Sequence, residues 1–122
     1  MKKIALIADD SSTVRKFVGF ALKSMGIEVV TASDGMDALE KLTSENFDIV
    51  ITDLNMPYVD GYELISSIRE IEDYKDVPII ILSSESGEED KIKGLSVGAN
   101  SYMIKPFDAK KLQYEVSKFL SE

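Results

Sequence analysis

Residues 47–61 read FDIVITDLNMPYVDG, and the centre of the run that opens them, Ile49-Val50-Ile51, is wholly apolar and β-branched. A short run of this kind, bounded by turn residues, is a strand, and one without polar alternation is buried on both faces, as in a parallel sheet. The strand over 47–52 halts at Asp53. Pro57 and Gly61 then bracket a loop whose backbone is constrained at one end and permissive at the other.

Working outward, the same signature recurs at 4–8, 77–82 and 102–104, while the run over 27–32 is mixed with Glu28 and Thr31 and suits an edge strand. Helical periodicity fills the intervals. Val14, Phe17, Val18, Ala21, Leu22 and Met25 mark one face of a first helix, which Gly26 is placed to stop. Leu39 and Leu42 mark the second, Leu64, Ile65 and Ile68 the third, and Ile92 and Leu95 the fourth. Leu112, Val116, Phe119 and Leu120 mark the fifth, with Asp108 as its cap. Strand and helix alternating at this spacing predict an α/β doubly wound sheet of five parallel strands and five helices, joined by right-handed crossovers.

With 122 residues the chain reads as one domain over 1–122, large enough to bury about two-thirds of the surface its unfolded chain exposes. It contains no His, Cys or Trp, so disulfide frameworks, thiol nucleophiles, zinc fingers and imidazole bases are excluded. Net charge is −8, with 6 basic and 10 acidic residues through Gly61 and 8 and 12 after it, so no basic tail or stripe emerges and nucleic-acid binding is not expected. The apolar run after Met1-Lys2-Lys3 is too short for a signal peptide, and no run approaches the roughly 18 to 20 apolar residues of a membrane span. A cytoplasmic protein without membrane contact is expected.

In open sheets of this class, ligands gather beyond the carboxyl ends of the strands. Those ends carry Asp9-Asp10, Asp53, Ser83 and Lys105. Each alone has an ordinary explanation: Asp10, Ser11 or Ser12 could cap the first helix, and Asp53 could open a turn. Together they ask for more. Adjacent first and third strands would bring three carboxylates side by side, where two unit charges 4 Å apart repel by about 4 kcal/mol at an effective dielectric of 20. A hard divalent cation with oxygen ligands, Mg²⁺, answers that repulsion, and Lys105 adds a second positive charge. Asp53 is also placed to act as a nucleophile that forms an acyl phosphate, with Mg²⁺, the Lys105 ammonium and the Ser83 hydroxyl around the incoming phosphoryl oxygens.

Asp9-Asp10, the segment from Asp53 to Gly61, Ser83 and Lys105-Pro106-Phe107 follow one another in an order and spacing that resemble the response-regulator receiver domain of two-component signalling, close to the single-domain chemotaxis (CheY-like) type. The resemblance covers essentially the whole chain and implies a flavodoxin-like strand order 2-1-3-4-5. It implies that Asp53 is the phosphoacceptor, Asp10 a direct Mg²⁺ ligand, Asp9 a ligand largely through water, and Asn55 a ligand through its main-chain carbonyl. Lys105 would pair with the phosphoryl group, and the Lys105–Pro106 bond would be cis. Ser83 and Tyr102 match the family's switch pair, the tyrosine swinging inward as the hydroxyl is drawn to the phosphoryl group; the ordinary alternative for Tyr102 is a half-buried strand residue. Asn55 and Glu85 occupy positions that set phosphoryl lifetime, although Glu85 also reads as the start of a solvated acidic loop before Glu88, Glu89 and Asp90.

The function implied is that of a monomeric response regulator. It takes a phosphoryl group from a histidine kinase and changes its binding to a downstream target through the face made by the fourth helix, fifth strand and fifth helix. The expected setting is chemotaxis or motility, with the flagellar motor switch a candidate target. The runner-up is a phosphorelay intermediate or a receiver belonging to a larger regulator. A phosphohydrolase with an aspartyl nucleophile fits less well, because Asn55 stands where such enzymes need a second Asp. A flavodoxin-like cofactor module fits poorly too, because Asp9-Asp10 would repel its phosphate.

Overall fold

The computed structural model describes residues 2–120; positions 1, 121 and 122 of the expected 1–122 domain lie outside the described residues. Five strands, β1 (Ile4–Ala8), β2 (Glu28–Ala32), β3 (Ile49–Thr52), β4 (Ile79–Ser83) and β5 (Ser101–Ile104), alternate with α1 (Ser12–Lys23), α2 (Gly35–Lys41), α3 (Gly61–Arg69), α4 (Glu88–Ser96) and α5 (Ala109–Leu120). All four strand pairings are parallel and the order is β2-β1-β3-β4-β5. The mixed strand is an edge, as its composition predicts.

Because side chains alternate across a strand, each apolar strand feeds two cores. Ala5, Ile7, Ile49, Ile51, Ile80 and Leu82 pack against Val18, Ala21 and Leu22 of α1 and Leu112 and Val116 of α5. Their neighbours Leu6, Ala8, Val50, Ile79 and Ile81 face the other way, onto Ala38 of α2 and Leu64, Ile65 and Ile68 of α3. β1 matches its apolar run, β2, β3 and β4 begin later than the expected 27, 47 and 77, and β5 begins one residue before the expected 102. Ile27 N–H turns back to the Leu22 carbonyl at 3.2 Å, and Pro78 has no N–H to give the ladder, so β2 and β4 each begin later.

Helix starts are capped as the sequence suggests, Ser11 Oγ accepting from Val14 N and Asp108 Oδ1 from Lys111 N. Asp60 and Glu63 form a reciprocal capping box at α3.

The fourth helix departs from its expected apolar face. Ile92 and Leu95 are 62% and 42% exposed, and the residue buried against the sheet is Gly94. A Cβ there would lie 2.6 Å from Ile81 Cδ1, so α4 approaches the sheet through the glycine and turns its larger apolar side chains outward. Phe17 of α1 is likewise exposed, its ring 5.8 Å from that of Phe107.

Candidate functional site

Register aligns the strand ends. β1 and β3 are neighbours paired Ala8 to Thr52, so the residues that follow, Asp9 and Asp53, leave the sheet side by side. Asp9 N–H donates to the Ala32 carbonyl and Asp53 N–H to the Ala8 carbonyl, fixing both backbones to the ladder. One carboxylate oxygen each from Asp9, Asp10 and Asp53 fall within 4.8 Å of one another. Asp9 and Asp53 are buried and Asp10 is exposed.

Lys105, carried in from β5, places Nζ 3.1 Å from Asp9 Oδ2 and 3.4 Å from Asp53 Oδ2. The Lys105–Pro106 peptide bond is cis, as the resemblance implies. One oxygen of each buried carboxylate is held by backbone: Ser11 N–H donates to Asp9 Oδ1 at 2.9 Å and Leu54 N–H to Asp53 Oδ1 at 2.7 Å. Burial raises the pKa of Asp53 above the ordinary carboxylate range and the charge of Asp9 raises it further; the Lys105 ammonium and the Leu54 N–H pull it back only in part. Three carboxylates against one ammonium leave an excess of negative charge at neutral pH. That excess, offered by oxygen donors only, suits a hard cation such as Mg²⁺.

Asp10 does not cap α1, since Ser11 does. The ordinary explanation for that carboxylate is thereby removed.

On the β4 side, Ser83 is fully buried and its Oγ accepts from Glu85 N–H at 3.0 Å. Tyr102, half-buried beside α4, donates its hydroxyl to the Glu85 carbonyl at 2.7 Å. Ser83, Glu85 and Tyr102 are therefore one hydrogen-bonded chain. Asn55 Nδ2 donates to Oε2 of the exposed Glu85 at 3.2 Å, tying the loop after β3 to the loop after β4.

Two kinds of contributor escape a sequence reading, and a third is legible in it. Arg15 Nη1 donates to the Asp9 carbonyl at 2.7 Å, steadying the strand end from α1. The backbone N–H groups of Ser11 and Leu54 carry no residue-type signal. Gly61 lies so close to the Asp53 carbonyl and to Leu54 Cα that a Cβ would clash with both; the loop closes there by Gly61 N–H donating to the Leu54 carbonyl at 2.9 Å. The sequence marks this glycine as the permissive end of the loop after Asp53.

The sequence pattern of the response regulator receiver domain matches residues 5–117. The chain is a response regulator receiver domain. Among solved structures, this receiver resembles the chemotaxis protein CheY4 of Vibrio cholerae, with a TM-score of 0.94 and 37% identity over 98% of this chain and 100% of that one. Protein PilG of Pseudomonas aeruginosa is 40% identical over 107 residues, 88% of this chain and 79% of PilG. The probable transcriptional regulator ycf27 of Guillardia theta is 41% identical over 119 residues; the receiver spans 98% of itself but 46% of that relative. Receivers act in two-component systems as signalling switches, take phosphate from histidine kinases and bind Mg²⁺ at an acidic pocket; this structure shows a cluster of acidic residues, Asp9, Asp10 and Asp53.

Proposed function

We propose that residues 1–122 form one receiver that accepts a phosphoryl group on Asp53 and uses it to change partner binding. The observation that carries this reading is the meeting of three carboxylates within 4.8 Å with Lys105 Nζ at 3.1 and 3.4 Å from the two buried ones. Leu54 N–H holds Asp53 Oδ1 while Oδ2 faces Lys105, so the attacking carboxylate is oriented before a donor arrives. An Asp53 oxygen attacks phosphorus of a phosphohistidine, the P–N bond breaks, and its electron pair leaves with the imidazole. Lys105 and the Ser83 hydroxyl meet the transferred oxygens.

Asp10, Asp53 and the Asn55 carbonyl would hold Mg²⁺, with Asp9 acting largely through water, and the ion would supply charge neutralisation for the phosphoryl oxygens. Asn55 and Glu85, linked across the crevice, control access of the water that later hydrolyses the acyl phosphate.

Drawing Ser83 Oγ toward a phosphoryl group competes with its bond from Glu85 N–H, and Glu85 is also where Tyr102 is anchored. The tyrosine then swings inward. A two-state element moved from 1:99 to 99:1 needs about 5.5 kcal/mol of differential interaction, within reach of a dianion contacting an ammonium and a hydroxyl. The face that responds is α4–β5–α5, where Ile92, Leu95, Ile104 and Tyr114 are exposed large side chains available to a target. The setting is chemotaxis or motility signalling in the cytoplasm, with the receiver acting as a monomer and the flagellar motor switch a candidate target, in keeping with the likeness to CheY4. A receiver serving within a larger regulator is the second reading, favoured by the ycf27 relative, of which the chain spans under half.

Intact-protein mass spectrometry after incubation with acetyl phosphate tests the chemistry. One phosphoryl group should add to the wild type with Mg²⁺ present, and none without Mg²⁺ or on Asp53→Asn. Equal addition to Asp53→Asn would overturn the assignment.

A further inference from the structure

A groove of about 440 Å³ runs between α1 and the edge strand β2, on a different stripe of α1 from Phe17 and outside the acidic crevice. Its floor is Gly19, a buried glycine in mid-helix. An ideal Cβ at that position would meet Val29 Cγ1 at 3.7 Å, an ordinary contact, so packing does not demand a glycine where glycine is a poor helix former. The walls are Arg15, Lys16 and Lys23, together with Phe20, which is 76% exposed. None of these three cations has a carboxylate within ion-pair distance among the described residues, in a chain whose net charge is −8.

We propose that this groove docks an acidic segment of a partner protein, with Asp or Glu side chains on Arg15, Lys16 and Lys23 and one apolar side chain over Gly19 against Phe20 and Val29. Charge decides the occupant. A membrane or a nucleic acid would bring extended negative charge against the acidic remainder of the molecule, whereas a short segment responds to charges within about 8 Å at physiological salt. Docking is by side chains rather than by strand addition, because Lys41 Nζ already donates to the Thr31 carbonyl of β2 at 2.6 Å. Arg15 is also committed to the Asp9 carbonyl, so the informative substitutions are at Lys16, Lys23 and Gly19.

The test is a ¹H–¹⁵N titration of the unphosphorylated protein, without Mg²⁺, with a synthetic peptide of Glu and Leu residues and with its Lys and Leu counterpart. The acidic peptide should shift the amides of Gly19, Phe20, Val29 and Thr31 saturably, and the basic one should not. Both lysines are exposed, so Lys16→Glu/Lys23→Glu keeps the fold and should weaken binding by about tenfold or more. Gly19→Ala should also weaken binding although it makes a better helix, a result that a merely structural glycine would not give. Asp53→Asn should bind as the wild type does, which separates this proposal from the phosphoacceptor reading. No saturable shift up to about 1 mM peptide, shifts confined to the crevice or to α4–β5–α5, unchanged affinity in the lysine or glycine variants, or equal binding to phosphatidylserine vesicles would each overturn it.

Discussion

Asp53 carries two burdens at once, a buried position and the neighbouring charge of Asp9, and both act on stability. Its raised pKa means the folded protein binds a proton more readily than the unfolded chain. The contribution of Asp53 to stability is therefore fully present below the ordinary carboxylate range and is lost as pH rises through its raised value. Asp53→Asn removes that loss: urea denaturation in EDTA should show the variant more stable than wild type at neutral pH, with the gap closing in acid. Tyr58 carries strain of another kind, with φ of 70° in the loop after β3 and 84% of its surface exposed, so burial does not compensate the backbone. Asn tolerates the left-handed region better, and Tyr58→Asn should stabilise by about 0.5–1 kcal/mol in the same assay.

Glycines decide how the elements approach one another. At Gly61 the obstacle to a Cβ is backbone, the Asp53 carbonyl and Leu54 Cα, and neither can step aside without moving the loop after β3. Gly61→Ala should cost about 2 kcal/mol or more and lower the rate of phosphorylation by acetyl phosphate, measured by intact mass. Gly19 is the opposite case. A Cβ there would make only an ordinary contact with Val29, so Gly19→Ala should raise stability by up to about 1 kcal/mol. These contrasts explain what the sequence could and could not tell. The strands were legible because Ile49-Val50-Ile51 and its fellows are apolar on both faces, and the strand-end residues followed once the strands were placed. The outward turn of Ile92 and Leu95 was not legible, because periodicity identifies an apolar stripe without saying that a glycine will claim the contact. Nor was the Asn55 to Glu85 bond, which joins loops 30 positions apart.

At the scale of the molecule, the proposed cation site in the acidic cluster would link folding to ion binding. A cation that binds only the folded state stabilises it by RT ln(1 + [L]/Kd), about 1.4 kcal/mol at ten times Kd. Thermal unfolding should therefore shift upward with Mg²⁺ in the wild type, and much less in Asp9→Asn/Asp53→Asn, whose remaining carboxylate is the exposed Asp10. No helix among the described residues is long and apolar enough to cross a membrane. The central place of β1 in the strand order also bears on the route by which the chain assembles. Asp9 meets Asp53 as soon as β1 zips onto β3, but Lys105 stands 96 positions from Asp9 and arrives only with β5. Any pathway that pairs the early strands first must pass through a stage in which the two acids are joined and their lysine is still absent, so the order of assembly sets how long that mutual repulsion goes unrelieved.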